Sequence, residues 1–244
     1  MSLASDSMLQ TRLADIVTSD PRTAAVFDRL GLDYCCQGHR TLRDATLQQH
    51  IAVSEVIDEL NSLGPKSGGE GGQACWLDLS ALVQHIVTNH HRHVREQQPV
   101  LQGWLDKLVS RHGTRHPELA QIQAVFADLS EELLQHMAKE ENILFPYIEM
   151  MWEAYLGGRT PEASPFGTIA NPIRSMENEH QHAGDLLKRL RSLTNDYQPP
   201  ADGCTTYGVC FAELARFEAD LHQHVHLENH ILFPKAMALE GASA

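Results

Sequence analysis

The amino-acid sequence predicts an all-α protein: a four-helix bundle preceded by a small helical domain. Leu, Ala, Glu and Gln, which favour helices, are plentiful, whereas aromatic residues make up only 6%. Apolar residues recur at the three- and four-residue steps of a buried helical stripe. The motif His-x3-Glu-x2-Ile-Leu-Phe-Pro occurs twice, beginning at residues 136 and 224. Two similar helical hairpins would produce such a repeat, and two hairpins make a four-helix bundle.

The chain divides into three predicted segments. They are a small helical domain at 1–63, a Gly-rich linker at 64–76 and the bundle at 77–244. In the small domain, Asp20-Pro21 is typical of an N-cap followed by proline, and that helix is expected to end at Gly31. Thr41 is expected to cap the next short helix.

Four long helices are predicted after the linker. The first runs from about Asp78 to Arg111 and the second from about Pro117 to Tyr155. Asn171-Pro172 is a second cap-plus-proline start, so a third helix is expected from there to about Leu193. The fourth extends from about Thr205 to Leu239.

Histidine and glutamate side chains interrupt two of the apolar stripes. The second-helix stripe is Ile122, Phe126, Leu129, Leu133, His136, Glu140, Ile143, and the fourth-helix stripe is Cys210, Leu214, Phe217, Leu221, His224, Glu228, Ile231. Residues i and i+4 share a helix face, so each His-Glu pair should point into the core. An unpartnered carboxylate there would cost several kcal/mol or become protonated. A bound cation removes that cost.

The other two helices each place one histidine on a stripe: His90 in the first and His180 in the third. By spacing alone, His91, His93 and His182 compete with them. His182, His222 and His226 lie two residues from a stripe position and should face away from the core. The other histidines are expected at the surface or outside the ligand sphere; they are His39, His50, His85, His112, His116 and His230.

Four imidazoles and two carboxylates are typical of iron or manganese sites. Structural zinc takes four ligands, often thiolates, so six inward ligands are too many for one such ion. The prediction is therefore two such iron or manganese ions, bridged by Glu140 and Glu228 and by an oxide or hydroxide. Each ion would then have five bonds and one open position, where a small diatomic ligand can bind.

Composition excludes several classes of protein. The net charge is −13 and no Lys/Arg cluster is present, which argues against binding to nucleic acid or to anionic membranes. No run of about 18 apolar residues suggests a membrane span, and the polar first ten residues predict no secretory signal. Five cysteines in a chain of this length favour a reduced, cytoplasmic setting. The sequence is compatible with a homodimer.

Three motifs together resemble the repair-of-iron-centres family, also called iron-sulfur cluster repair proteins, over nearly the whole chain. They are Asp33-Tyr34-Cys35-Cys36-Gln37-Gly38, the two His-x3-Glu motifs, and Met-Glu-x-Glu-His ending at His180. The resemblance implies a hemerythrin-like bundle with a non-haem di-iron centre. It favours His180 over His182 and aligns His90 with the first-helix ligand of the family.

The resemblance also implies repair of iron-sulfur clusters damaged by nitrosative or oxidative stress, with the damaged proteins as clients. Two mechanisms are attached to the family, iron donation and reduction of nitric oxide to nitrous oxide, and the sequence does not choose between them. The alternative is a hemerythrin-like protein that binds or senses oxygen, which has no need of a Cys-Cys module.

The cysteines divide into a pair and three single residues. Cys35 and Cys36 are expected in an exposed turn of an N-terminal domain that docks on the bundle, with a redox, nitrosyl-accepting or iron-accepting role. Cys75, Cys204 and Cys210 are expected to be structural.

Overall fold

The computed structural model describes residues 7–64, 78–162 and 164–242. Within these residues all regular elements are helices, and the only β feature is an isolated bridge between Arg12 and Thr41. The predicted all-α class is therefore confirmed. Most of the predicted linker, and Cys75 with it, lies outside the described residues.

The described residues of the N-terminal domain include the short helices α1 (Leu13–Ser19), α2 (Arg22–Arg29), α3 (Leu42–Gln48) and α4 (Val53–Ser62). Asp20 precedes α2 and its Oδ1 accepts the backbone N–H of Arg22, while Gly31 has a φ of +65° just after that helix. Thr41 caps α3 by accepting the N–H of Asp44. The end of α2 and the Thr41 cap agree with the sequence signals, whereas Pro21, which was predicted at the first helical position, is the N-cap residue of α2.

In residues 78–162 and 164–242 the bundle has four long helical segments, three of which include a π-helical turn. The first segment consists of α5 (Leu79–His85), π1 (Ile86–His91) and α6 (Arg92–His112), and the second of α7 (Glu118–Lys139), π2 (Glu140–Leu144) and α8 (Phe145–Leu156). The third segment is the single helix α9 (Ala170–Leu193). The fourth consists of α10 (Thr205–Leu227), π3 (Glu228–Leu232) and α11 (Phe233–Ala242). Helix α7 packs against α6 and α9, and α6 also packs against α10.

Most boundaries match the prediction, and one start does not. Helix α9 begins at Ala170, so Asn171 is not its N-cap. The Asn171 amide instead donates to the carbonyl of Phe166 in the preceding turn. The Asn-Pro pair therefore lies just inside the helix, where a proline has no N–H bond to lose.

The π turns change which residues face the core. A π turn bonds i to i+5 and so inserts one extra residue into the helical phase. After Glu140, the predicted stripe residue Ile143 is half exposed at 50%, and Leu144 is buried in its place. The prediction for Ile143 was therefore wrong, although Ile231 is buried as predicted. Pro146 and Pro234 follow these turns and cannot donate the N–H that an unbroken α-helix needs.

The apolar core is divided by the layer of histidines and glutamates. One apolar cluster includes Leu129, Leu133 and Leu221 and extends from the bundle into the N-terminal domain. A second cluster, which includes Ile86, Leu144 and Phe233, lies on the other side of the layer. The polar layer is therefore enclosed by apolar packing at both ends.

The N-terminal domain lies on the face formed by α9, α10 and π3. Asp28 Oδ1 is 2.7 Å from His222 Nδ1, and Thr18 Oγ1 is 3.2 Å from His226 Nε2. Gln37 Nε2 donates to Gln181 Oε1 at 2.9 Å. The docking expected from the sequence is thus present.

Candidate metal centre

Six buried side chains form two adjoining groups in the polar layer of the bundle. The first group is His91, Glu140, His224 and Glu228, and the second is His136, Glu140, His180 and Glu228. The ligand atoms within each group lie within 4.8 Å of one another. Because both groups share Glu140 and Glu228, the arrangement is that of two neighbouring positions bridged by two carboxylates.

In the first group, two imidazoles converge on the shared carboxylates. His91 Nε2 lies 3.1 Å from His224 Nε2 and 3.4 Å from Glu140 Oε2. His224 Nε2 lies 2.9 Å from Glu228 Oε1.

The second group repeats this geometry. His136 Nε2 lies 3.0 Å from His180 Nε2 and 3.3 Å from Glu140 Oε2. His180 Nε2 lies 3.0 Å from Glu228 Oε2. Ligand atoms about 3.0 Å apart fit neighbouring corners of a coordination sphere whose bonds are about 2.1 Å long.

The structure brings together five of the six predicted ligand residues and replaces the sixth. His90 lies outside both groups: its Nδ1 is 3.1 Å from Asp220 Oδ1, and its ring is stacked on that of His224 at 5.7 Å. His91 occupies the expected place. The sequence prediction counted four residues from Ile86 to His90, whereas the π1 turn requires five, which brings His91 inward.

Hydrogen-bond partners outside the cluster fix three of the four inward rings. His91 Nδ1 is 2.6 Å from Glu141 Oε1 and His136 Nδ1 is 2.9 Å from Glu179 Oε2. His180 Nδ1 is 2.9 Å from the Asn229 side-chain oxygen. An acceptor at Nδ1 places the proton there and leaves Nε2 free as a metal ligand.

The carboxylates at the centre have oxygen atoms without hydrogen-bond partners. Both oxygens of Glu140 are buried without a hydrogen bond, and Oε2 of Glu228 is buried with only the ring nitrogen of His180 close by, at 3.0 Å. Such groups are costly in a protein interior unless a counter-charge compensates them. The donor set and these orphaned oxygens therefore fit bound metal cations.

Protons balance part of this charge when no cation is bound. Burial lowers the pKa of His91, but the adjacent Glu140 and Glu228 outweigh it and raise that pKa to about 10. Burial likewise lowers the pKa of His136, but Glu140 and Glu179 outweigh this effect and raise the pKa to about 10. Cations that enter the site would displace these protons.

A cavity of about 340 Å³ reaches the centre from the side of α7 and α9. Its lining includes His136, His180 and His224. Glu132 and His182 also line it; they are exposed and lie 3.1 Å apart. Small ligands therefore have a route to the centre, and His182 faces away from the ligand cluster, as predicted.

The Cys35-Cys36 turn lies against the bundle rather than in an exposed loop. Cys35 is buried, and its carbonyl accepts from His230 Nε2 at 2.8 Å and from the Asn229 amide at 3.2 Å. Cys36 is half-buried, with its Sγ 3.6 Å from the carbonyl oxygen of His180. The prediction of an exposed turn was wrong because it did not account for the bundle surface that covers the turn.

Three histidines expected to be peripheral form the interface with the N-terminal domain. His222, His226 and His230 face away from the metal cluster, and each contacts the N-terminal domain. Their spacing of four residues puts them on one face of α10 and π3, a signal that was visible in the sequence. From the sequence, His222 and His226 were predicted only to face away from the core, and His230 to lie at the surface or outside the ligand sphere.

The two described cysteines of the bundle have different surroundings. Cys210 is buried in the bundle core, as expected of a structural residue. Cys204 is exposed at the N-cap of α10, with its Sγ 3.3 Å from His112 Nε2.

Comparison with protein families assigns both parts of the chain. Residues 82–236 match the hemerythrin HHE cation binding domain, and residues 9–64 match a domain of unknown function. The helical bundle described above thus coincides with a cation-binding family.

Similar proteins match over almost their whole length. The iron-sulfur cluster repair protein ScdA of Staphylococcus haemolyticus is 33% identical over 223 residues, which are 91% of this chain and 96% of that protein. A probable iron-sulfur cluster repair protein of Haemophilus influenzae is 34% identical over 237 residues, 95% and 98% of the two chains. The iron-sulfur cluster repair protein YtfE of an Enterobacter strain is 33% identical over 228 residues, 93% and 97% of the two chains.

Among the described helices, none has the length and apolar character required to cross a membrane.

Proposed function

The chain belongs to the iron-sulfur cluster repair family with a hemerythrin HHE cation-binding domain, and from this premise we propose that it is a di-iron repair protein. It acts on iron-sulfur clusters damaged by nitrosative or oxidative stress. The observation that carries the proposal is the pair of buried four-residue groups that share Glu140 and Glu228.

Two ions account for this arrangement better than one. Each group offers two imidazole nitrogens of its own, and the two carboxylates lie between the groups, with both oxygens of Glu140 lacking a hydrogen bond. Nitrogen and oxygen donors without thiolate suit iron, and one structural zinc ion would leave ligands unused. In our proposal His91 replaces His90 in the ligand set.

The surrounding residues hold this set in position. Glu141, Glu179 and Asn229 orient three of the rings through Nδ1. Bound iron ions supply the electron transfer and the small-ligand binding that nitric oxide or oxygen chemistry requires. The cavity beside His136 and His180 gives such ligands a path that the apolar clusters above and below the centre do not offer.

Two routes to repair remain within the proposal: donation of iron to a damaged client and removal of nitric oxide by reduction. Reduction of two nitric oxide molecules to nitrous oxide and water consumes two electrons and two protons, so an external reductant is required. Iron donation requires labile ligands, which protonation of a histidine or loss of one carboxylate bridge would provide.

We further propose a redox or nitrosyl-accepting role for Cys35 and Cys36, beside the centre. Support comes from Cys36 Sγ, which lies 3.6 Å from the carbonyl oxygen of His180, itself a proposed ligand. We expect the chain to act in the cytoplasm, where the thiols stay reduced. All six proposed iron ligands come from one chain, so the centre itself does not require a homodimer.

The alternative is an oxygen-binding or oxygen-sensing protein of the hemerythrin kind. The names of the full-length relatives favour cluster repair, and so does the docked Cys-Cys domain, for which an oxygen carrier has no use.

The proposal is tested with the anaerobic, iron-loaded chain and an iron-sulfur enzyme inactivated by nitric oxide. We expect the enzyme to regain activity with the native chain and not with His136→Ala. His182→Ala is the matched control, since His182 is exposed and outside both groups. Nitrous oxide measured in the same reaction separates nitric oxide reduction from iron donation. A stable oxygen adduct, with neither cluster recovery nor nitrous oxide, would contradict the proposal.

A further inference from the structure

We propose that Asp33, Cys35 and Cys36 form a second metal site, for a single thiophilic divalent cation such as iron(II), where the N-terminal domain meets the bundle. The three side chains are the remaining metal-ligand group among the described residues, and their ligand atoms lie within 4.8 Å of one another. None of the three belongs to the His/Glu centre.

The distances between the ligand atoms fit one tetrahedral ion. Bonds of about 2.3 Å to sulfur and 2.0–2.2 Å to oxygen give tetrahedral edges of about 3.8 Å between two sulfurs and about 3.6 Å between sulfur and oxygen. Here the two Sγ atoms are 3.9 Å apart, and Cys35 Sγ lies 3.5 Å from Asp33 Oδ1. A cation would therefore need little movement of these three side chains.

The turn holds the carboxylate in place for this role. Asp33 Oδ1 accepts the backbone N–H groups of Cys36 at 2.9 Å and Gln37 at 3.2 Å. Lys188 Nζ lies 3.4 Å from Asp33 Oδ2 and offsets part of the negative charge. The contact between the Cys35 thiol and Oδ1 is the one that a cation would replace.

Binding exchanges two protons for one cation. The hydrogen bond with Cys36 and burial together raise the pKa of Cys35 well above its usual range, so this thiol is protonated when no metal is bound. Each thiol loses its proton when its sulfur bonds to the ion, and no oxidation or reduction takes place. Two thiolates make this site softer than the His/Glu centre and selective for thiophilic ions.

The position links the new site to the dinuclear centre. Cys36 Sγ lies beside the backbone oxygen of His180, whose ring belongs to that centre. Asn229 contacts both sites: its oxygen is 2.9 Å from His180 Nδ1, and its amide donates to the carbonyl of Cys35. We infer that the thiol site holds iron in passage between the dinuclear centre and a client, a role that rests on the proposed function, whereas metal binding itself does not.

The test is an anaerobic titration of the reduced full-length chain with cobalt(II). Thiolate-to-cobalt charge transfer gives a near-ultraviolet band that the His/Glu centre, which contains no sulfur, cannot produce. We use a Cys75→Ser/Cys204→Ser background so that exposed or undescribed thiols do not contribute. The band is expected to grow to one cobalt per chain and to be lost in Cys35→Ser and in Cys36→Ser.

Two further variants make the result decisive. Asp33→Asn keeps an oxygen that can accept both backbone N–H groups, so the turn should fold, and we expect cobalt binding at least about 10-fold weaker. His136→Ala should reduce loading of the His/Glu centre and leave the thiolate band intact.

No thiolate band in the folded background chain, or a band that persists without Cys35 and Cys36, would overturn the inference. Cluster repair by a chain without the band would leave the proposed function standing.

Discussion

Replacement of His91 or His90 by alanine tests the helical register at the first ligand helix. His91 Nε2 faces His224 and Glu140, so His91→Ala reduces the first group from four ligands to three. Removal of a partner outside the ligand sphere typically lowers metal affinity 10–100-fold, and loss of a direct ligand should cost more. We expect a decrease of more than about 100-fold at this position, equivalent to about 2.7 kcal/mol.

His90→Ala is the matched control in the neighbouring residue. It removes a contact with Asp220 and a stacked ring but no inward nitrogen, so its effect should stay within about 10-fold. Chelator competition gives the affinities, and elemental analysis after reconstitution gives the iron content. The native chain and His90→Ala should hold two iron ions and His91→Ala about one. Loss of iron from His90→Ala with full retention in His91→Ala would refute the register argument.

Three other predictions concern the structure around the centre. Gly38→Ala places a Cβ 2.1 Å from the backbone oxygen of Tyr34 and 2.6 Å from Nε2 of His230, so amide hydrogen exchange in the N-terminal domain should accelerate; unchanged exchange would contradict the close packing around Gly38. Arg191→Met leaves the buried carboxylate of Glu218 unpaired and should lower the free energy of unfolding, measured with denaturant, by about 3 kcal/mol. A decrease of less than about 0.5 kcal/mol would contradict this expectation. Burial raises the pKa of Cys210 to about 12, so this thiol should resist alkylation from pH 7 to 9, while exposed Cys204 reacts; equal labelling would contradict this.

The sequence predicted the part of the site that lies before the π turns. His136 and Glu140, and their repeat His224 and Glu228, follow regular α-helical stripes, so counting residues along the helix puts them in the layer where the structure groups them. His180 lies in α9, which has no π turn, and counting puts it in the same layer.

The choice between His90 and His91 could not be made by counting. The π1 turn between Ile86 and His91 adds one residue to the helical phase, and the two histidines are adjacent and chemically identical. The prediction that Ile143 is buried was wrong for the same reason, because Ile143 follows Glu140 within π2. Alpha-helical periodicity carries no information about where a wider turn is inserted.

The sequence predicted that the N-terminal domain docks on the bundle, but it did not predict the individual contacts. Cys35 appeared exposed because the turn was considered without the surface that covers it. His226 was predicted to face away from the core and His230 to lie at the surface or outside the ligand sphere, but such residues can be buried by a neighbouring domain. The four-residue spacing of these histidines predicts a shared helix face and does not indicate which surface covers that face.

Anomalous diffraction at the iron edge from crystals of the iron-loaded chain tests the central claim most directly. We predict two iron peaks flanked by Glu140 and Glu228, one bound by His91 and His224 and the other by His136 and His180. A single peak in the polar layer, or two peaks with His90 in place of His91, would contradict this account of the centre.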